Sequence, residues 1–149
     1  MANEFSGTTV IDRQIDQVFA FLADGTNDLK FSPRVQKIEK TTDGPIGVGT
    51  VFESTVKDAG MTTSRKFELT EFVAPTKIRW AERSKNIVTA TEGGYDLEAV
   101  GDAQTRVTIH NKLEGHGFGK LIVGFAAKAA IKDAPAFVER IKAAVEAPS

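Results

Sequence analysis

The apolar positions change period twice along the chain. Residues 4–12 alternate and carry Thr8, Thr9, Val10 and Ile11, the β-branched content of a strand. Ile15, Val18, Phe19 and Leu22 then fall at helical spacing and give a short helix one apolar face. The polar patch Asp24-Gly25-Thr26-Asn27-Asp28 breaks that helix. A second helical turn must end near Pro33, because the residue before a proline avoids the helical region. From 34 to 114 the pattern predicts six strands, near 34–42, 47–58, 61–73, 76–84, 87–99 and 104–114. Turn signals separate them at Asp43-Gly44-Pro45, Ala59-Gly60, Ala74-Pro75, Lys85-Asn86 and Gly101-Asp102. Connections this short make consecutive strands antiparallel neighbours.

The C-terminal segment returns to helical spacing. Phe118, Ile122, Phe125 and Ala129 form one stripe, continued with a shift by Ile131, Ala134, Val138, Ile141 and Val145. Lys120, Lys128, Lys132, Glu139, Arg140 and Lys142 fill the other face. Pro135 removes the hydrogen bond to the carbonyl of Ile131, which predicts a kink or a break, and Asp133 would cap a broken second half. The order is strand, two short helices, six strands, one long helix. This is an α+β domain over residues 1–149, in which a curved seven-stranded antiparallel sheet wraps the long helix.

Pairing across the turns fixes which side chains share a face. A two-residue turn at Ala59-Gly60 sets Phe52 opposite Phe67 and Ser54 opposite Arg65. The following turns set Leu69 opposite Trp80, Phe67 opposite Glu82, Glu82 opposite Thr89, Trp80 opposite Thr91, Tyr95 beside Ile109 and Gly93 beside Asn111. One face then holds Ile38, Phe52, Phe67, Leu69, Ile78, Trp80, Tyr95, Leu97, Val107, Ile109 and Leu113, and its reverse is charged. The apolar face also carries Ser54, Arg65, Glu82, Thr89, Thr91 and Asn111. Burying such groups unpaired is costly. Either these side chains wet the strand ends, or they are the fixed polar contacts of an enclosed cavity.

Composition narrows the chemistry. The chain of 149 residues is 41% hydrophobic and 26% charged with a formal charge of −1, so nucleic acid gains no bulk electrostatic attraction. The absence of Cys removes disulfides, thiolate nucleophiles and Cys-ligated metals. Two histidines, His110 and His116, with no matching carboxylate cluster, predict no metal site. No apolar run approaches the ~20 residues of a membrane helix, and the first residues lack a secretory pattern, so a cytoplasmic protein is expected. The lysines of the last helix are balanced in sequence by Asp133, Glu139 and Glu146, which predicts a solvated face and no membrane partner.

Several segments together resemble a known family. They are Ile15-Asp16-Gln17-Val18-Phe19-Ala20-Phe21-Leu22-Ala23-Asp24 after the first strand, Gly44-Pro45-Ile46-Gly47-Val48-Gly49-Thr50-Val51-Phe52, and Phe67-Glu68-Leu69-Thr70-Glu71-Phe72 leading to Pro75 and Ile78-Arg79-Trp80. Gly94-Tyr95-Asp96-Leu97-Glu98 followed by Thr105-Arg106-Val107-Thr108 completes the set. In this order they resemble the polyketide cyclase/dehydrase and lipid-transport superfamily, START-like or SRPBCC. The resemblance implies the helix-grip fold of the birch pollen allergen and a hydrophobic cavity between the sheet and the long helix. The Gly-x-Gly-Thr segment opens a strand, not a helix, so it is no phosphate cradle.

The expected function is binding of a small hydrophobic or aromatic metabolite, lipid- or polyketide-like, without a cofactor, by a monomer or homodimer. The expected lining is Phe52, Arg65, Phe67, Trp80, Glu82, Tyr95, Ile109 and Asn111 from the sheet, with Ile122, Phe125 and Ala129 from the helix. A second reading is a polyketide cyclase or dehydratase acting by acid–base chemistry, with Arg65, Glu82, Tyr95 and His116 as candidates. A third is a protein-interaction or stress-related module with a filled core and an exposed apolar patch.

Overall fold

In a computed structural model describing residues 3–58 and 60–148, the two changes of period become three structural blocks. Strand β1 (Asn3–Ile11) leads into helix α1 (Ile15–Ala23) and a 3-10 turn (Gly25–Lys30). The meander follows as β2 (Val35–Lys40), β3 (Val51–Asp58), β4 (Met61–Val73), β5 (Lys77–Glu82), β6 (Val88–Ala99) and β7 (Thr105–Gly115), and helix α2 (Gly119–Glu146) ends the fold. Among the described residues the strands form one seven-stranded antiparallel sheet in the order β1-β7-β6-β5-β4-β3-β2. The first strand thus closes against the last, which curves the sheet around α2.

The convex face is held by cross-strand charge pairs. Arg79 meets Asp96 at 2.7 Å, Arg83 meets Glu68 at 3.0 Å, and Arg106 pairs with Glu98. On the concave face the expected pairs Phe52–Phe67, Ser54–Arg65, Phe67–Glu82, Leu69–Trp80, Tyr95–Ile109 and Gly93–Asn111 are all present. Ala59 itself lies outside the described residues, while Asp58 opposite Met61 is the spacing a two-residue turn gives. The core is one cluster in which Ile11, Val18, Val107 and Ile141, from β1, α1, β7 and α2, have no exposure.

Four expectations are corrected. Trp80 pairs with Gly93, not Thr91, and Ile78 with Tyr95, because residues 83–87 form a longer loop than a two-residue turn. A bulge between Ala90 and Glu92 then takes Thr91 out of register and bonds its hydroxyl to the carbonyl of Lys112, so Thr91 leaves the concave face. Residues 47–50 belong to the preceding loop, so β3 starts at Val51. Helix α2 runs through Pro135 without a break, which decides the kink-or-break alternative against the break and leaves Asp133 no second helix to cap; Asp133 bonds Arg140 at 2.8 Å. Ile131, whose carbonyl loses its partner, is more than half exposed, so water is at hand.

The inward stripe of α2 is the expected one at Ala134, Val138, Ile141 and Val145, which are buried, but not over the first half of the helix. There Gly119, Val123 and Ala127 are buried, whereas Phe118, Phe125 and Ile131 face solvent. The reason is close approach at the helix start. A Cβ on Gly119 would lie 1.7 Å from the carbonyl oxygen of Ile87, and one on Gly115 would lie 2.3 Å from the carbonyl of Gly119. Docking by its smallest residue turns the larger side chains outward. Further along, the helix rests on Gly7 of β1, where a Cβ would meet Val138 at 2.9 Å.

Candidate functional site

Between the concave sheet, α2 and the 3-10 turn lies a cavity of about 320 Å³. Inward rows of the sheet build its floor. Arg65 stands opposite Ser54, and Phe67 stands between Phe52 and Glu82. The next row runs Leu69, Trp80, Gly93, Asn111 and Phe5, and beyond it lies Ile78, Tyr95 and Ile109. Arg65 and Tyr95 are therefore separated by roughly 20 Å of strand, taking about 3.3 Å per residue. Ala130, Ala134 and Phe137 of α2 form the opposite wall.

At one end Arg65 is anchored through a single nitrogen. Its Nη1 donates to both carboxylate oxygens of Glu82, at 3.0 and 3.1 Å, and to the carbonyl of Val88 at 3.1 Å. Those bonds leave Nε and Nη2 without a protein acceptor among the described residues. The Glu82 side chain has no exposure, while that of Arg65 keeps 25%. Glu82 also accepts from Ser84 Oγ at 2.5 Å, Asn86 Nδ2 at 2.9 Å and the Ala90 N–H at 2.9 Å. A carboxylate so fully occupied fixes Arg65 and has no spare lone pair for acid–base work.

In the middle, Trp80 Nε1 donates to Asn111 Oδ1 at 3.0 Å, which leaves the Asn111 amide Nδ2 as a donor. This crossing exists because residue 93 is glycine. A Cβ there would sit 2.0 Å from Asn111 Oδ1 and 2.5 Å from Trp80 Nε1. Trp80 in turn packs edge-on against Tyr95, ring centres 5.1 Å apart.

The far end holds a residue that the sequence reading missed. Asp24 caps the 3-10 turn, accepting from the N–H of Thr26 at 3.0 Å and from its hydroxyl at 2.6 Å. Asn27 Nδ2 ties the turn to the carbonyl of Phe21 at 2.8 Å, and Gly25 lets it lie flush on the Phe52 ring. The turn so held makes Asp28 part of the cavity wall. Burial of its carboxyl, reinforced by the charge of Asp24, pushes the Asp28 pKa up to about 7. Burial, and then the charge of Asp28, pushes the Tyr95 phenol well above its ordinary value, so it stays a hydroxyl donor. The signal available in sequence was the run Asp24-Gly25-Thr26-Asn27-Asp28, whose capping pattern explains Asp24 but leaves Asp28 without a surface role.

Of the expected lining, Phe52, Arg65, Phe67, Trp80, Tyr95, Ile109 and Asn111 do border the cavity. Glu82 stands behind Arg65. Ile122, Phe125 and Ala129 are not among the lining residues, because α2 is turned as described and offers Ala130, Asp133, Ala134 and Phe137 instead. His116 sits in the exposed loop before α2, its Nε2 2.8 Å from the hydroxyl of Thr89, and does not border the cavity. Among the described residues no group of three or more His, Cys, Asp or Glu could hold a metal ion.

A concave antiparallel sheet closing an apolar cavity against a long terminal helix defines a helix-grip architecture. The chain belongs to the polyketide cyclase/dehydrase and lipid transport family, whose sequence profile matches residues 2–146. Among solved structures it is similar to TTHA0849 from Thermus thermophilus, with TM-score 0.77 and 16% identity over 95% of this chain and 96% of that one. It is also similar to the Zhui aromatase/cyclase from Streptomyces sp. R1128, with TM-score 0.70 and 19% identity over 97% of this chain and 88% of the other. Ara h 8.0201 superposes with TM-score 0.67 and 16% identity over 97% and 98% of the two chains. At these identities the likeness is one of fold. No protein of curated function matches the sequence. Among the described residues no helix is long and apolar enough to cross a membrane.

Proposed function

We propose that the protein binds a small hydrophobic metabolite of aromatic or polyketide-like character, carrying oxygen functions at separated positions. The observation that carries this reading is the cavity itself, apolar over most of its wall, with donors of Arg65 at one end, the Asn111 amide in the middle and Tyr95 and Asp28 at the other end. A filled core, which a purely protein-interacting module would have, does not fit this space. A ligand hiding ~300 Å² of apolar surface gains roughly 7 kcal/mol at about 25 cal/mol per Å², before association costs. Micromolar affinity is then within reach, with the polar groups selecting orientation.

Trp80 is the sole tryptophan of the chain and borders the cavity, so its fluorescence reports occupancy directly. Titration with flavonoids, aromatic polyketides and fatty acids should give a saturable change at one ligand per chain for at least one class. Competition against a fluorescent apolar probe in Trp80→Phe checks the same site without the tryptophan. Absence of saturable binding across all three classes would overturn the reading.

A second reading, turnover, is favoured by Asp28. A carboxyl with a pKa of about 7 in an apolar wall, on the same cavity as the Tyr95 hydroxyl, is suited to give and take a proton during cyclisation or dehydration of a polyketide-like substrate. The Streptomyces neighbour is by its name an aromatase/cyclase. On this reading Asp28→Asn abolishes product formation while Trp80 titrations still saturate; unchanged turnover in that variant refutes it.

A further inference from the structure

We propose that the N-terminal half of α2 is a docking ridge for an anionic lipid bilayer. Phe118, Leu121 and Phe125 are 68%, 71% and 75% exposed, and their spacing places them along one side of the helix, away from the buried stripe of Gly119, Val123 and Ala127. Ile87, also half exposed, adjoins the start of this ridge, since its carbonyl occupies the space beside Gly119. Scattered exposed apolar residues need no explanation, but large ones aligned on one convex edge do.

Charge selects the occupant. Lys120, Lys128 and Lys132 are exposed on the same half of the helix, and residues 115–132 contain no Asp or Glu. In the sequence these lysines look balanced by acids of the same helix, yet the structure separates the two sets. Asp133 is bonded to Arg140, Glu139 accepts from the Thr9 hydroxyl at 3.0 Å, and Glu146 is held by Lys142 and the N–H of Asp12. On the sheet beside it, Lys112 lies opposite Glu4 and Glu92 and shares a shallow hollow with Glu114 and Lys120, so the excess of cations is carried by the helix itself. The whole chain carries −1, so the attraction is confined to this edge.

A second copy of the chain fits the ridge poorly, because an isologous pairing would bring the lysines of the two helices together. A bilayer accepts both parts at once. The aromatic and leucine side chains enter the headgroup boundary, and the lysine stems lie along the apolar surface with their ammonium groups at the phosphates. The helix then lies along the membrane surface and does not cross it.

The test is co-sedimentation of the full chain with vesicles of phosphatidylcholine alone and with added phosphatidylserine. Pelleting is expected with the anionic vesicles, weakened by salt and by about fivefold for each of Lys120→Glu, Lys128→Glu and Lys132→Glu. The triple variant Phe118→Ser, Leu121→Ser, Phe125→Ser should lose vesicle binding, keep its melting temperature, and leave Trp80 titrations unchanged, which separates this inference from the cavity reading. Equal pelleting with both vesicle types, no pelleting at all, or concentration-dependent dimerisation abolished by Leu121→Ser would each overturn the proposal.

Discussion

Replacing Asp28 with Asn should make the stability of the protein less dependent on pH and greater in mild alkali. The ordinary value for the carboxyl is 3.8, and in the folded protein it is pushed up to about 7 by burial and by Asp24. Between those values the folded chain holds a proton that the unfolded chain has released. Stability is therefore fully present below the unfolded value, falls as pH rises through that interval, and levels off above about 7. The gap corresponds to on the order of 4 kcal/mol at about 1.4 kcal/mol per tenfold change in proton affinity. That is a large share of the 5–15 kcal/mol typical of a domain. Asparagine has nearly the same shape and carries no charge at any pH. Urea unfolding followed by Trp80 fluorescence, at intervals from about pH 4 to pH 8.5, gives the difference between wild type and Asp28→Asn. Other titrating groups largely cancel in that difference. The variant should match the wild type near pH 4 and exceed it by up to about 4 kcal/mol in mild alkali. Two parallel stability curves would refute the burial of the Asp28 carboxyl.

Two further variants probe the polar framework. Arg65→Ala strands the buried Glu82 carboxylate and should cost roughly 3 kcal/mol, less when Glu82→Gln is added; a double-mutant cycle by urea unfolding reads the coupling, and additive losses would show the pair to be independent. Gly93→Ala drives a Cβ into the Trp80–Asn111 hydrogen bond and should destabilise by about 2–4 kcal/mol, with altered near-ultraviolet dichroism of Trp80; a loss under about 0.5 kcal/mol would contradict the close approach.

Much of this was legible because a sheet is governed by parity. Once Phe52 faces Phe67, every second residue on the neighbouring strands falls on a known side, and an error of two residues, as at Trp80 and Gly93, leaves the face intact. Thr91 escaped because a bulge changes the parity locally, and nothing in Thr89-Ala90-Thr91-Glu92 announces one. The helix was harder. Its apolar residues outline two stripes, Phe118–Phe125 and Val123–Val145, and choosing between them depends on the contact of Gly119 with a loop more than thirty positions earlier. Asp28 was hidden for a similar reason: a polar turn reads as surface until the Phe52 ring beneath Gly25 and the cavity beside it are both in place.

The residues with no exposure, Ile11, Val18, Val107 and Ile141, come from β1, α1, β7 and α2, whereas Arg65, Ser54, Phe67 and Val56 border the hollow from the outer strands β3 and β4. The molecule thus divides labour between an anchor and a wing. Substitutions at Ser54, Val56 and Phe67, unlike those at Arg65 with its buried partner Glu82, reshape what fits inside while the anchor keeps the chain folded, so a descendant of this sequence can change its preferred cargo by a few replacements there without first gathering compensating changes elsewhere.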